Sequence, residues 1–245
     1  LNLPWITARV SGYYTSVADQ SKVISYYDDT QSSFTNFAMS GIDKVHFGLE
    51  AAVSIPIYHT LALNGAVSWG QYTYDSNPYY LQTQDNSGDI VSDGYVYWKD
   101  FRVESTPQTA VNVGLSWRSN NNIYLSADFN YYNNMYLSMS PIYRTDAVIT
   151  GGMAPGDIEH LRRQEKFDSA YTLNASIGKN WYIHRKYTLG FSLDVKNILN
   201  NQDIKTGGYE QTRLSKNTET TVTTYQAFDS KYFYMFGTTY YLNVY

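Results

Sequence analysis

Apolar and polar positions alternate with a period of two along most of this chain. From Val45 to Ile55 one parity reads Val45, Phe47, Leu49, Ala51, Val53, Ile55, and the other His46, Gly48, Glu50, Ala52, Ser54. The same alternation recurs at Leu61–Gly70, Val111–Arg118, Ile123–Tyr131, Tyr171–Gly178 and Leu189–Lys196. A first strand at Ile6–Tyr14 fits less cleanly, and a last one is expected over Lys231–Tyr245. Side chains on a strand point alternately to its two faces, so each segment predicts a strand with one apolar face. Eight such segments are long enough to cross a bilayer at a tilt.

The connections sort by length. Three are short, at Ile57–Thr60, Ser119–Asn122 and Tyr182–Lys186. Four are long and polar, at about 17–41, 75–106, 133–168 and 198–230, and short and long alternate without exception. Outer-membrane barrels have short periplasmic turns and long extracellular loops, so the first strand is expected to run outward. Aromatic residues match: Tyr58, Trp117 and Trp181 flank the short turns, and Tyr14, Trp69, Tyr72, Tyr131 and Tyr132 flank the loops, as two interfacial girdles. A soluble β-sandwich also alternates, but its connections need not divide by length in this way.

Composition sharpens this. The chain has 26 tyrosines and 17% aromatic residues, which suits a wall crossing two interfaces. Mean hydropathy is −0.43, as expected when only every second residue of a strand meets lipid. No cysteine is present, which excludes disulfides and thiolate metal sites. A net charge of −4 leaves no basic footprint for nucleic acid. The inward parity is rich in Gly, Ala, Ser and Asn, which predicts a wide lumen lined by something else, such as a plug, and tolerant of larger residues.

Catalytic chemistry is not indicated. No Gly-x-Ser-x-Gly is present, and His46, His59, His160 and His184 have no metal-ligand spacing, so no enzyme, cofactor or metal is expected. Asp85-Asn86-Ser87-Gly88-Asp89 with Asp93 offers hard oxygen ligands but misses the calcium-loop order. Arg9, Lys44, Glu50, Asp128, Asp194 and Lys196 fall on the inward parity. Facing lipid, each would cost about 2–4 kcal/mol near the midplane. They are expected to form ion pairs with a plug or a neighbouring strand, or to line a substrate path. The loop aromatics Tyr79, Tyr80, Tyr95, Tyr97 and Trp98 are candidate ligand contacts or, more simply, packing between loops.

Several stretches carry a family resemblance. Ser40-Gly41-Ile42-Asp43-Lys44 with His46 and Gly48-Leu49-Glu50 resembles the strand of TonB-dependent receptors that opens on a Gly-x-x-x-x-x-Gly-x-Glu pattern. Thr106–Ala110 is similar to the start of a later strand, and Asn197-Ile198-Leu199-Asn200-Asn201 to a near-terminal Asn-x-Leu-Asn motif. Thr206–Arg213 resembles the following loop in Bacteroidota members. The resemblance implies the C-terminal part of an antiparallel up-and-down transmembrane β-barrel, about eight strands of a total of about 22. It also implies TonB-energised uptake of a siderophore, glycan or peptide. The partners would be outer-membrane lipid, a plug domain and TonB, and possible further ones are a surface lipoprotein or other outer-membrane subunits. No segment of these 245 residues resembles the plug or the TonB-contacting region. Two other readings are a receptor-like barrel used as scaffold in a larger assembly, and a standalone eight-stranded barrel. Parity in the last strand puts Tyr240, Leu242 and Val244 toward lipid and Tyr245 inward, so the natural end is expected an odd number of residues later.

Overall fold

The computed structural model describes residues 1–29, 31–104, 106–151, 155–184, 186–217 and 224–245. A two-residue strand β1 (Asn2–Leu3) leads into β2 (Ile6–Asp28), which turns directly into β3 (Ser33–Tyr58). There follow β4 (Leu61–Tyr74), the hairpin of β5 (Tyr79–Gln84) and β6 (Ile90–Tyr95), β7 (Thr109–Arg118) and β8 (Ile123–Asn133). A 3-10 turn (Ile142–Arg144) and the short helices α1 (Asp146–Ile149) and α2 (Pro155–Arg162) precede β9 (Ala170–Ile183) and β10 (Tyr187–Lys196). β11 (Lys205–Tyr209), β12 (Leu214–Asn217), β13 (Thr224–Ala227), β14 (Lys231–Tyr234) and β15 (Thr239–Val244) complete the chain.

The main sheet runs β1-β2-β3-β4-β7-β8-β9-β10-β15, each strand antiparallel to the next. Eight of its members, β2, β3, β4, β7, β8, β9, β10 and β15, fall on the eight expected strands, in the expected order, and they form part of a transmembrane antiparallel barrel wall. β2 and β15 do not pair with each other, so the sheet remains open. The outward parity is apolar and uncovered: Val10, Leu49, Val113, Leu125, Phe129, Leu189 and Leu242 are all exposed. An apolar face this continuous needs lipid against it.

The opposite face is polar and cross-linked between strands. Ser54 donates to Asn64 at 2.8 Å, Asn64 to Ser116 at 3.2 Å, and Asn112 to Asn130 at 2.8 Å. Several of its glycines are covered by neighbouring side chains, so these positions do not tolerate the larger residues that the sequence led us to expect. Tyr13 lies across Gly48 and Gly70, where a Cβ would come within 2.5 and 2.8 Å of its hydroxyl. Tyr124 lies across Gly178, Asp128 across Gly114, and Tyr245 across Gly190. Each glycine is a slot for a neighbouring side chain, and Tyr13 of β2 reaches past Gly48 on β3 to Gly70 on β4.

Two of the girdle aromatics are also reassigned. Tyr72 pairs with His46 and bonds the Tyr13 hydroxyl, and Tyr132 shares a concavity with Arg9, so both face inward. Tyr14, Trp69 and Trp181 stay exposed on the lipid side.

The long loops are not irregular. β2 and β3 have 23 and 26 residues, whereas a tilted membrane strand needs about 9–11. Most of the segment expected as loop 17–41 is therefore a continuation of the hairpin above the membrane. β5 pairs with the upper part of β3, adding two more strands to this extension. The last expected strand is likewise divided. Lys231–Tyr234 pairs with β11 in the outer region, and only Thr239–Val244 joins the wall. There Tyr240, Leu242 and Val244 oppose Val195, Leu193 and Phe191, which confirms the outward parity, and Tyr245 faces inward.

Candidate functional site

The outer segments fold into a crown with its own hydrophobic core. The inward face of the β2–β3–β5 extension supplies Tyr26, Phe37, Met39 and Tyr80. Against it pack Ile142, Tyr143 and Val148 of the 133–168 segment, with Val96 and Trp98 from the segment after β6. Phe37 and Tyr80 stack with ring centroids 4.6 Å apart. Arg144 is fully buried, and its guanidinium grips Glu210 with two bonds of 2.5 and 2.9 Å. It also donates to the Ser140 carbonyl at 3.0 Å, and its guanidinium carbon lies 5.4 Å from the Phe101 ring centre. A buried pair of this kind fixes one geometry between the third and fourth outer segments, because loss of either member strands the other charge.

The loop aromatics proposed from sequence divide into two groups. Tyr80 and Trp98 are 1% exposed and belong to the crown core. Tyr79 and Tyr95 are exposed on the other face of the hairpin, in an edge-to-face pair with centroids 5.6 Å apart. The Tyr79 hydroxyl bonds Asp93. Tyr97 is half-buried, and a hydrogen bond to Asp146 raises its pKa. The acidic stretch from Asp85 to Asp89 closes the β5–β6 turn through backbone bonds and does not gather its oxygens around one point: Asp85 accepts from Asn36, and Asp93 is held by Tyr79. Among the described residues no three His, Cys, Asp or Glu side chains converge as metal ligands. The side chain of His160 lies outside the described residues.

A cleft of about 240 Å³ opens where all four outer segments meet. Tyr26, Asp28, Asp29 and Phe37 come from the first, Tyr80, Gln82 and Ser92 from the second, Thr145 and Val148 from the third, and Thr212 and Leu214 from the fourth. Gln82 donates its amide to the Tyr26 hydroxyl and to Asp28, both at 3.1 Å. Arg213 clamps Asp29 with bonds of 2.9 and 3.2 Å, which lowers the Asp29 pKa. Burial, reinforced by Asp28, pushes the Tyr26 hydroxyl well above its ordinary value. Burial likewise pushes Tyr143 up to about 12. Sequence reasoning missed this cleft and the Arg144–Glu210 pair, since their members lie far apart along the chain.

All six candidate lumen charges lie on the polar face of the wall. Arg9 and Glu50 line an inward concavity of about 420 Å³ with Asn112, Asn130 and Tyr132. Lys44 stands over Tyr74 and Lys196 over Tyr241, 5.4 and 5.1 Å from the ring centres. Among the described residues, ion pairs occur only in the outer segments, and none includes these six. Among the described residues these six form no salt bridge to a neighbouring strand.

No protein-family model matches the sequence, and no curated protein matches it. Among solved structures it is similar to the outer membrane transporter YddB from Escherichia coli, at 14% identity with a TM-score of 0.54. The match covers 100% of this chain and 30% of that one. At this identity the likeness bears on the fold.

Proposed function

We propose that this chain is wall and crown of an outer-membrane transport barrel of the TonB-dependent receptor type. The observation that carries the reading is the open sheet. Its outward face is apolar, yet β15 leaves one edge unpaired and β2 is paired on its outer edge only at Ile6 and Thr7. In hydrocarbon every backbone group needs a partner, so further strands must close the ring. A ring wider than eight strands encloses a lumen, and here its wall carries six charges that have no ion-pair partner among the described residues. In this reading a plug answers those charges, the crown takes ligand from outside, and TonB supplies the energy for passage. The wall does no bond chemistry.

Two measurements test it. A cysteine at Ser87 should label from outside intact cells, and cysteines at Asn121 or His184 should not; the reverse result would invert the orientation. In cells carrying the full-length protein, accumulation of labelled ferric siderophores, glycans and peptides is compared with and without TonB. One class should enter only when both proteins are present. Uptake that is equal in the two strains removes the energised-transport reading.

A further inference from the structure

We infer that the short-turn end of the wall, at the β9–β10 hairpin, is a docking surface for an anionic phospholipid headgroup, whose phosphate sits between Lys179 and Lys186. This goes beyond the transport reading and rests on the lipid-facing wall alone. The first support is the distribution of charge. The three short turns with their flanking strand ends, 55–62, 116–124 and 179–188, hold four of the 18 Lys and Arg and none of the 22 Asp and Glu. This rim stands at a formal +4 and the rest of the chain at −8, which together give the net −4. A cationic fringe where a wall leaves the hydrocarbon attracts anionic lipid.

The second support is the place of Lys179. It opposes Ile123 on one side and Phe191 on the other, so it lies on the apolar, outward parity of β9. Tyr171 and Trp181 are exposed on that same parity, ten residues apart. A tilted strand crosses the hydrocarbon in roughly 9–11 residues, so the two rings mark the two interfaces. Lys179 starts two residues inside the one at Trp181. A lysine facing lipid is costly at the midplane and tolerated near an interface. Its ammonium is turned toward that interface, 5.2 Å from the Trp181 ring centre, and so carries its charge to headgroup level. Lys186, in the turn, stands 5.5 Å from the Tyr187 ring centre. Tyr187 opposes Ile183, and both are exposed. Two cations thus flank a strip of Trp181, Ile183 and Tyr187 that continues the lipid face. Among the described residues neither lysine pairs with a carboxylate. A phosphate on an acyl chain suits this place better than a free one, because its chains lie along Ile177, Leu189 and Phe191 while its charge meets both ammonium groups.

The test uses the purified full-length protein in phosphatidylcholine vesicles, where TonB plays no part. A minor fraction of the lipid carries brominated acyl chains, as either phosphatidylglycerol or phosphatidylcholine. Quenching of Trp181 is read as the difference from Trp181→Phe. Brominated phosphatidylglycerol should half-quench Trp181 at a fraction at least about tenfold lower than brominated phosphatidylcholine, and raised salt should narrow the gap. Lys179→Gln with Lys186→Gln should abolish the preference. Lys179→Arg with Lys186→Arg should keep it, and the heat-dependent gel shift checks that each barrel is folded. Equal quenching by the two lipids, or a preference that survives the paired Gln variant, would overturn the assignment. A preference erased by excess inorganic phosphate would give the site to a free anion and overturn it too. TonB-dependent uptake is measured separately, so either result leaves the transport reading to its own test.

Discussion

The lower and upper parts of β3 are built for different surroundings. Below Gly41 its outward residues, such as Leu49 and Val53, face lipid, and its inward residues are small or polar. Above Gly41 the inward residues Thr35, Phe37 and Met39 are buried against other segments. The lower part has no hydrophobic core. Its cohesion comes from backbone pairing and from polar links such as Ser54–Asn64–Ser116. In lipid the apolar face gains nothing by turning inward, so cross-strand polar contacts hold the wall together. The crown stands in water and folds as a soluble domain does, by burying Tyr26, Trp98, Leu137 and Ile142. The comparison teaches that burial measures stability only in the upper part.

The sharpest way to break the comparison is Arg144→Ala. It leaves Glu210 without its partner and should cost the crown about 3–5 kcal/mol. Hydrogen exchange should rise across β5, β6 and the 133–168 segment, while the heat-dependent gel shift of the barrel is unchanged. Loss of both together would show one cooperative unit. Replacing the pair with Met at 144 and Leu at 210 should restore much of the protection.

The reverse experiment is Leu49→Arg on the lipid face, expected to cost about 2–4 kcal/mol near the midplane. Here the gel shift should fail and crown exchange should follow only as the wall is lost. An unperturbed gel shift would remove Leu49 from the lipid face.

A smaller effect is expected at Gly178, where an added Cβ would fall within the Tyr124 ring. Gly178→Ala should cost about 1–3 kcal/mol as overpacking. The cost should vanish in a Tyr124→Ala background, measured as a double-mutant cycle in urea. A cost that persists there would place the strain in the backbone.

The smallest effect is a pH dependence confined to the crown. The folded pKa of Tyr143 lies above its ordinary value of 10.0, at about 12, because of burial. Its contribution to stability is intact below pH 10 and is lost as pH rises toward about 12, since the unfolded chain releases the proton first. Trp98 fluorescence should report a lower crown melting point across that interval. Tyr143→Phe should flatten the slope, and an unchanged slope would point to other groups.

The wall was legible in the sequence because alternation is a direct imprint of a two-sided environment. All eight strands, the three short turns and the outward parity of Leu49, Val113 and Leu242 came from that pattern alone. The crown was not, for two physical reasons. First, the phase changes. Val17 opposes Lys44, Gln20 opposes Ile42 and Lys22 opposes Met39, so each strand carries one extra residue in turn. The inward set is odd below and even above in β2, and even below and odd above in β3. A single period-two template therefore loses both strands at 17–41. Second, the crown's polar contacts join residues distant in sequence. Nothing near Arg144 foretells Glu210, and nothing near Asp29 foretells Arg213. The glycine slots went unforeseen for a related reason: a wide lumen and a slot for Tyr13 or Tyr124 leave the same composition.

The phase change in β2 and β3 bears on how the protein can vary. A single insertion or deletion in an uninterrupted hairpin would reverse every side chain beyond it, sending Phe37 outward or Leu49 toward the lumen. Asp19 and Gly41 both adopt left-handed backbone, with φ of 56° and 72°, at the two places where the extra residues are absorbed. The joint works as a hinge in the coding sense. Above it, the hairpin can lengthen, shorten or be exchanged for another while the residues facing lipid keep their sides. A lineage could revise what its crown recognises many times over without rebuilding the part that the membrane holds.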